Sequence, residues 1–190
     1  MLNKEKIILG VDEVGRGPLA GPVIAAAVIL LHGSESIPIK DSKKLSEKNI
    51  NIISDEIKKY SIYKIGVASV EEINNLNILQ ATMLAMRRAI LQIDNYYDVI
   101  RIDGNQNPLS SASLKPIELI VKGDSSCRSI AAASIIAKDY RDALMRALSK
   151  KYLCYNWHKN KGYGTKKHIE AIKKHGVSDV HRELFCRNLK

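Results

Sequence analysis

Four carboxylates stand where apolar runs of the chain stop. Ile7-Ile8-Leu9-Gly10-Val11 runs into Asp12-Glu13, and Asp98-Val99-Ile100-Arg101-Ile102 into Asp103-Gly104-Asn105. A third run, Ile117-Glu118-Leu119-Ile120-Val121, leads into Lys122-Gly123-Asp124. Short β-branched runs bounded by Gly and polar residues predict strands, largely buried ones. As neighbours in one sheet, these strands gather Asp12, Glu13, Asp103 and Asp124 at one edge. Four carboxylates cannot all ionise in one cleft without a cation, and hard oxygen donors suit Mg²⁺ or Mn²⁺. Two such ions about 4 Å apart can activate a water and stabilise the leaving oxygen of a phosphodiester. No His, Ser or Cys nucleophile is needed. Successive strand residues point to opposite faces, so Asp12 and Glu13 cannot both face one metal on a regular strand. Gly15 and Gly17 suggest that the strand ends there, letting Glu13 turn inward or contribute through its backbone.

Other residues near these runs could touch a ligand. Gly15-Arg16-Gly17 lacks the spacing of a triphosphate-binding loop, but its glycines let backbone approach a ligand closely, where amides could read a sugar hydroxyl. The same triplet is equally an ordinary turn. Tyr163, between Gly162 and Gly164, could stack on a sugar or base, or simply pack. Lys138, Arg141 and Asp142 share one face of a predicted helix, directed either at the cleft or at solvent as a salt-bridged face. Cys154, His158, His181 and Cys186 raise the question of zinc, but no Cys-x-x-Cys pair occurs and the compact ligand spacing is missing.

The totals favour a polyanionic partner. The 190 residues carry a formal net charge of +10 and are 45% hydrophobic, enough for one domain of ordinary size. The charge is uneven: residues 1–150 hold 20 Lys and Arg against 17 Asp and Glu, whereas residues 151–190 hold 10 against 3. The latter segment also holds four of the five His and half of the ten aromatics, as a nucleic-acid contact surface would. A solvated basic helix has the same charge. Cys127, Cys154 and Cys186 are odd in number and widely spaced, which points to reduced thiols and a cytoplasmic setting. The N-terminal apolar stretch is short and meets Asp12, so it reads as a strand and not a secretion signal, and the longest apolar run, Leu19 to Leu31, is too short to span a bilayer. A soluble protein without a membrane partner is expected.

The elements that must position the carboxylates follow from periodicity. Val23 to Leu31 predicts a central strand in a hairpin with the first. Ser46 predicts the cap of a helix with Ile50, Ile53 and Ile57 on one face, and Ile62 to Val70 a third strand. From Glu71 to about Ile93 the spacing predicts one long helix with a buried stripe of Ile73, Leu76, Leu79, Met83, Met86 and Ile90. Residues 104–116 read as an exposed loop. Cys127 to Lys151 predicts a helix whose first half, small or apolar all round, presses closely on the sheet. Lys166 to His175 predicts a short helix stopped by Gly176. The fold class is α/β: a mixed β-sheet flanked by helices over residues 1–150, then a small basic helical extension over 151–190. In open α/β sheets ligands sit beyond the carboxyl ends of the strands, where the acidic ends fall.

The stretch from Gly10 to Val23, GVDEVGRGPLAGPV, closely resembles the N-terminal signature of the type 2 ribonucleases H. The resemblance continues in order through Asp41-Ser42-Lys43-Lys44-Leu45, Leu76 to Met83, Ile102-Asp103-Gly104-Asn105, Lys122-Gly123-Asp124, Ala132 to Asp142 and Lys161-Gly162-Tyr163-Gly164-Thr165. It implies a ribonuclease-H-like fold and an endoribonuclease that cuts the RNA strand of RNA–DNA hybrids. It also implies incision at the 5′ side of ribonucleotides embedded in duplex DNA, leaving 3′-hydroxyl and 5′-phosphate ends. By the same resemblance, Asp12, Glu13, Asp103 and Asp124 are the catalytic metal ligands for Mg²⁺ or Mn²⁺. Gly15, Arg16 and Gly17 read the 2′-hydroxyl, Tyr163 stacks at the RNA-to-DNA junction, and Lys43 lies near the substrate backbone. A monomer is expected, with a replication-clamp contact left open. Near the end the chain departs from the family, with Gly176-Val177 in place of Gly-Pro and Glu183-Leu184-Phe185 after His181-Arg182. The competing readings are a resolvase-like carboxylate nuclease of the same fold and a non-catalytic hybrid-binding module.

Overall fold

The computed structural model describes residues 6–39, 46–94, 96–109 and 113–189; Asp41-Ser42-Lys43-Lys44-Leu45 lies outside them. Five strands form one mixed sheet: β1 (Ile8–Val14), β2 (Val23–Leu30), β3 (Ser61–Ala68), β4 (Val99–Asp103) and β5 (Ile117–Ile120), in the order β3-β2-β1-β4-β5. The first three strands form an antiparallel meander, and β4 and β5 add parallel to β1. The three strands that carry carboxylates therefore end at the same edge. The helices are α1 (Glu47–Lys59), α2 (Val70–Leu76), α3 (Ile78–Ile90), α4 (Arg128–Lys151), α5 (Trp157–Asn160), α6 (Lys166–His175) and α7 (Glu183–Cys186).

Strand alternation sorts the core into two layers. One face, with Leu9, Val11, Ala25, Ala27, Ile100 and Ile102, packs on Ala81, Ala85, Met86 and Ala89 of α3. The other, with Ile24, Ala26 and Val28, packs on Ala132, Ala133, Ile136 and Ala137 of α4 and on Ile50, Ile53 and Ile57 of α1. Both helices approach the sheet at a glycine. A Cβ on Gly10 would stand 2.2 Å from the Ser129 carbonyl carbon, and one on Gly66 would stand 1.9 Å from the Ala85 oxygen. Neither contact is possible for a real side chain, so these two positions set how closely α4 and α3 seat.

The single helix expected over Glu71 to Ile93 is two. Asn77 between them has φ 72° and ψ 166°, which no helix accommodates, and its side chain caps α3 by accepting from the Leu79 and Gln80 amides. A Ser69–Glu72 capping box starts α2. The break turns Leu76 and Leu79 out, so the expected buried stripe is interrupted there, while Ile73, Met86 and Ile90 remain buried.

Residues beyond α4 enclose a third cluster, in which Tyr155, Trp157, Ile172 and Cys186 pack on Met145 of α4 and on Ala20 of the β1–β2 connection. No helix among the described residues is long and apolar enough to cross a membrane.

Candidate active site

β1 remains regular through Val14, so Glu13 does not turn inward as the glycines suggested. Asp12 lies on the α4 face and Glu13 on the α3 face, as the two-residue period of a strand requires. Asp12 is buried, accepts from the Glu13 amide at 2.7 Å and is hydrogen-bonded by Ser134 of α4. Glu13 lines a cleft of about 160 Å³ together with Arg16, Met83, Asp103, Asn105 and Gln106. Asp103 ends β4. Its Oδ1 accepts from the Gly123 amide at 2.7 Å, which ties the end of β4 to the turn that carries Asp124. Asp124 is buried in that turn, against the start of α4.

Asp12 and Glu13 thus reach the edge from two faces, Asp103 acts on both, and the turn bearing Asp124 is tied to Asp103. Burial raises the pKa of Asp12 well above the usual carboxylate range, helped by Glu13 and Asp103, while the Ser134 and Glu13 hydrogen bonds oppose it. Burial also raises that of Glu13; the Arg16 guanidinium, 3.4 Å away, works against it and Asp103 with it. In both, burial is the larger cause and the neighbouring carboxylate charge adds to it; a cation bound there would relieve both. The donors are oxygen throughout, the chemistry that Mg²⁺ and Mn²⁺ prefer, so the residues fit such an ion. Among the described residues, no three His, Cys, Asp or Glu side chains already form a group that could hold a metal ion.

The turn after β1 is gripped from beneath. Gly15 has φ 95°, and a Cβ there would lie 2.3 Å from Arg141 Nε. Arg141 is completely buried and donates to the carbonyls of Pro22 (3.1 Å), Ala20 (3.0 Å) and Lys161 (2.9 Å). It is therefore neither cleft-facing nor part of an exposed ion-paired face. Asp142 is buried as well, with Lys138 at 2.8 Å. Arg182, also completely buried, donates to the carbonyls of Gly15, Arg16, Gly21 and Pro22. Residues 19–21 are bonded to residues 162 and 180–182 through Leu19 N–H to Gly162 O, Gly21 N–H to Val180 O and Arg182 N–H to Leu19 O, each at 2.8–2.9 Å. This junction brings Tyr163 to the turn: a Cβ on Gly17 would be 3.9 Å from its ring, and the Arg141 guanidinium is 5.9 Å from the ring centre. Tyr163 itself is nearly half exposed.

Of the residues singled out in the sequence, Asp12, Glu13 and Asp103 come together at the sheet edge, and Asp124 is buried in the adjoining turn that is bonded to Asp103. Gly15, Arg16 and Gly17 adjoin them, and Tyr163 adjoins Gly17. Lys43 lies outside the described residues. The buried roles of Arg141 and Arg182 were not readable from spacing. The one signal for Arg182 was its place beside His181, in a pair the family resemblance also shows.

A mixed sheet with carboxylates at the joint ends of three parallel strands, backed by helices on both faces, defines a carboxylate nuclease of the ribonuclease-H-like class. The family model for ribonuclease HII matches residues 9–188. Ribonuclease HII of Wolbachia sp. subsp. Brugia malayi is 52% identical over 181 residues, covering 95% of this chain and 88% of that protein. The one from Pelagibacter ubique is 48% identical over 182 residues, covering 95% and 96%. Among solved structures, RNase HII from Archaeoglobus fulgidus in its complex with PCNA superposes with a TM-score of 0.84 at 22% identity, over 97% of both chains. Bst-RNase HIII in complex with Mn²⁺ gives 0.71 at 21% identity, over 90% of this chain and 63% of that one. The chain belongs to the ribonuclease HII family and is a metal-dependent endoribonuclease of RNA–DNA hybrids.

Proposed function

We propose that, beyond cutting the RNA strand of hybrids, the chain incises duplex DNA at the 5′ side of an embedded ribonucleotide and leaves 3′-hydroxyl and 5′-phosphate ends. The observation that carries this reading is the contact between the carboxylate edge and the Gly15-Arg16-Gly17 turn. Glu13 and Arg16 line one cleft, and Gly17 lies under the exposed ring of Tyr163.

In this reading Asp12, Glu13, Asp103 and Asp124 hold two divalent ions, and either Mg²⁺ or Mn²⁺ meets the donor chemistry. The Mn²⁺ bound by the Bst-RNase HIII relative supports the choice of ion class. Such ions, when bound, activate the attacking water and stabilise the leaving oxygen. The chain's own residues do the rest. The Gly123 amide holds Asp103, and Ser134 with the Glu13 amide holds Asp12, so these carboxylates need little rearrangement. The amides of the Gly15-Arg16-Gly17 turn address the 2′-hydroxyl, and Tyr163 stacks where RNA passes to DNA. Lys43 contacts the substrate backbone. Residues 1–150 act as the catalytic body and 151–190 as the basic segment that contacts phosphates. A replication-clamp contact is a further element of the proposal, supported by the archaeal relative's complex with PCNA.

Cleavage of a duplex with one ribonucleotide, with the cut mapped, tests this. A single cut on the 5′ side of the ribonucleotide is expected. Equal cutting of an all-DNA duplex would favour a resolvase-like nuclease, and binding without any cut would favour a hybrid-binding module.

A further inference from the structure

Arg182 is a buried charge at the heart of the junction. It stands between the tail and the turn after β1, completely buried. Its Nη1 donates to the Arg16 carbonyl at 2.9 Å, its Nη2 to the carbonyls of Gly15, Gly21 (2.8 Å) and Pro22 (3.3 Å), and its Nε to Gly21 again at 2.9 Å. Among the described residues it takes part in no ion pair, and its charge is met by carbonyl dipoles and by the Phe185 ring, whose centre is 5.3 Å away.

The consequence follows from peptide geometry. In a trans peptide the C=O of one residue and the N–H of the next point in opposite directions. Holding the Gly15 carbonyl inward therefore turns the Arg16 N–H outward, and holding the Arg16 carbonyl inward turns the Gly17 N–H outward. Neither N–H meets an acceptor among the described residues. They form a pair of adjacent donors beside the carboxylate cleft and under Tyr163. Such a pair suits a hydroxyl oxygen, which can accept from two donors.

We propose that Arg182 is a positioning residue for substrate choice: its guanidinium, by holding the carbonyls of Gly15 and Arg16, presents the Arg16 and Gly17 amides to the ribose 2′-hydroxyl. The inference rests on the proposed reading of that hydroxyl by the turn, and assigns to the tail a part in selectivity besides its charge. A planar guanidinium with five donors in a fixed fork is required, because the ammonium of a lysine is a single point and cannot span four carbonyls.

The test is Arg182→Lys, assayed on a duplex with one ribonucleotide, with the matching all-DNA duplex as competitive inhibitor. Circular dichroism and thermal melting give the folded fraction. With the amides misdirected, KM for the ribonucleotide duplex rises about tenfold or more, as expected for losing one to two hydrogen bonds. The inhibition constant of the all-DNA duplex stays within about twofold, so the preference collapses. A fall in kcat that merely follows the folded fraction, with KM and preference unchanged, would reduce Arg182 to a structural clamp and overturn the proposal. If the wild-type protein already binds both duplexes equally, the hydroxyl reading itself fails first, and the two failures are thereby distinct. Should Arg182→Lys not fold, hydrogen exchange in the wild-type protein decides. Slowing of the Arg16 and Gly17 amides by the ribonucleotide duplex, and not by the all-DNA duplex, supports the assignment; unchanged exchange at both overturns it.

Discussion

The sheet edge and the tail junction both bury charge, and they compensate it by opposite means. At the edge, burial raises the proton affinity of Asp12 and Glu13, and the nearby Asp103 carboxylate adds to the rise in both. At the junction, Arg141 and Arg182 are like-charged neighbours that are saturated by backbone carbonyls. Burial, with Arg141 nearby, brings the pKa of Arg182 down to about 9, still far enough above neutrality for the guanidinium to stay charged. The difference separates a binding region from a holding region. Unmet charge that borders a cleft draws in a mobile ion, whereas charge met by fixed dipoles locks the segment that supplies them.

Removing one carboxylate attacks the binding region alone. In Asp124→Asn the shape is kept, but the charge and one of the two oxygen donors are lost. Cleavage of the single-ribonucleotide duplex is expected to fall by about 10³-fold or more, the scale on which metal-dependent hydrolysis depends on its ions. Affinity for the duplex should change little if, as proposed, the phosphate and hydroxyl contacts lie on other residues. Undiminished turnover with added Mg²⁺ or Mn²⁺ would remove Asp124 from the site.

Acid should act on the holding region. His168 and His181 are buried with their Nε2 atoms 3.1 Å apart. Trp157 Nε1–H donates to His168 Nε2 at 3.0 Å, and the Ser178 amide donates to His181 Nδ1 at 2.9 Å. Both rings therefore use a bare nitrogen as acceptor, and His168 is left to donate from Nδ1 to the Tyr163 carbonyl, 2.9 Å away. A proton on either bare nitrogen would put N–H against N–H. Burial lowers the pKa of His168 and, with His168 beside it, that of His181 to about 4. Because the folded values lie below the unfolded one near 6.5, the unfolded chain binds more protons. Stability is then full above pH 6.5 and is lost as pH falls towards 4. For His181 the loss is on the order of 3 kcal/mol. Urea melts at pH 7.5 and 4.5, compared for the wild type and His181→Gln, check it. An equal loss in both proteins would place the acid sensitivity at carboxylates whose pKa the fold lowers, such as Glu72 (to about 2) and Asp179, since protonating Asp12 and Glu13, whose values are raised, favours the folded state.

The two regions also differ in how far residues alone revealed them. The edge was legible because β-branched runs that stop at a carboxylate mark both a strand and its end, and parallel pairing of β1, β4 and β5 then aligns those ends. The position of Glu13 was misjudged because glycines at 15 and 17 suggest an early strand end, whereas pairing with β2 keeps β1 regular to Val14. Asn77 was hidden because Leu76 and Leu79 fit a helical period on either side of it; only the backbone angle shows the break. The junction was largely illegible. Arginines at helical or isolated positions read as solvent-facing, and all but one of the carbonyls that hold Arg141 and Arg182 come from residues more than a hundred positions away.

The smallest effect should sharpen the contrast within the tail, between cations that hold the fold and cations that face outward. Lys166, Lys167, Lys173 and Lys174 on α6 are exposed, while His168 and Ile172 of the same helix are buried. Removing the whole tail would strip Arg182 and the third cluster from the turn, so it cannot isolate charge. Replacing the four lysines with glutamine leaves that packing intact, at a cost in stability within about 0.5 kcal/mol, as for exposed positions generally. If these side chains neutralise phosphates, each released counterion changes the slope of log K against log salt by about 0.9. A fourfold replacement then flattens the slope by up to about 3.6, and affinity falls alike for duplexes with and without a ribonucleotide. Fluorescence anisotropy across a salt series measures both. An unchanged slope would mean that the basic tail serves the junction alone and that phosphate contacts lie on the body.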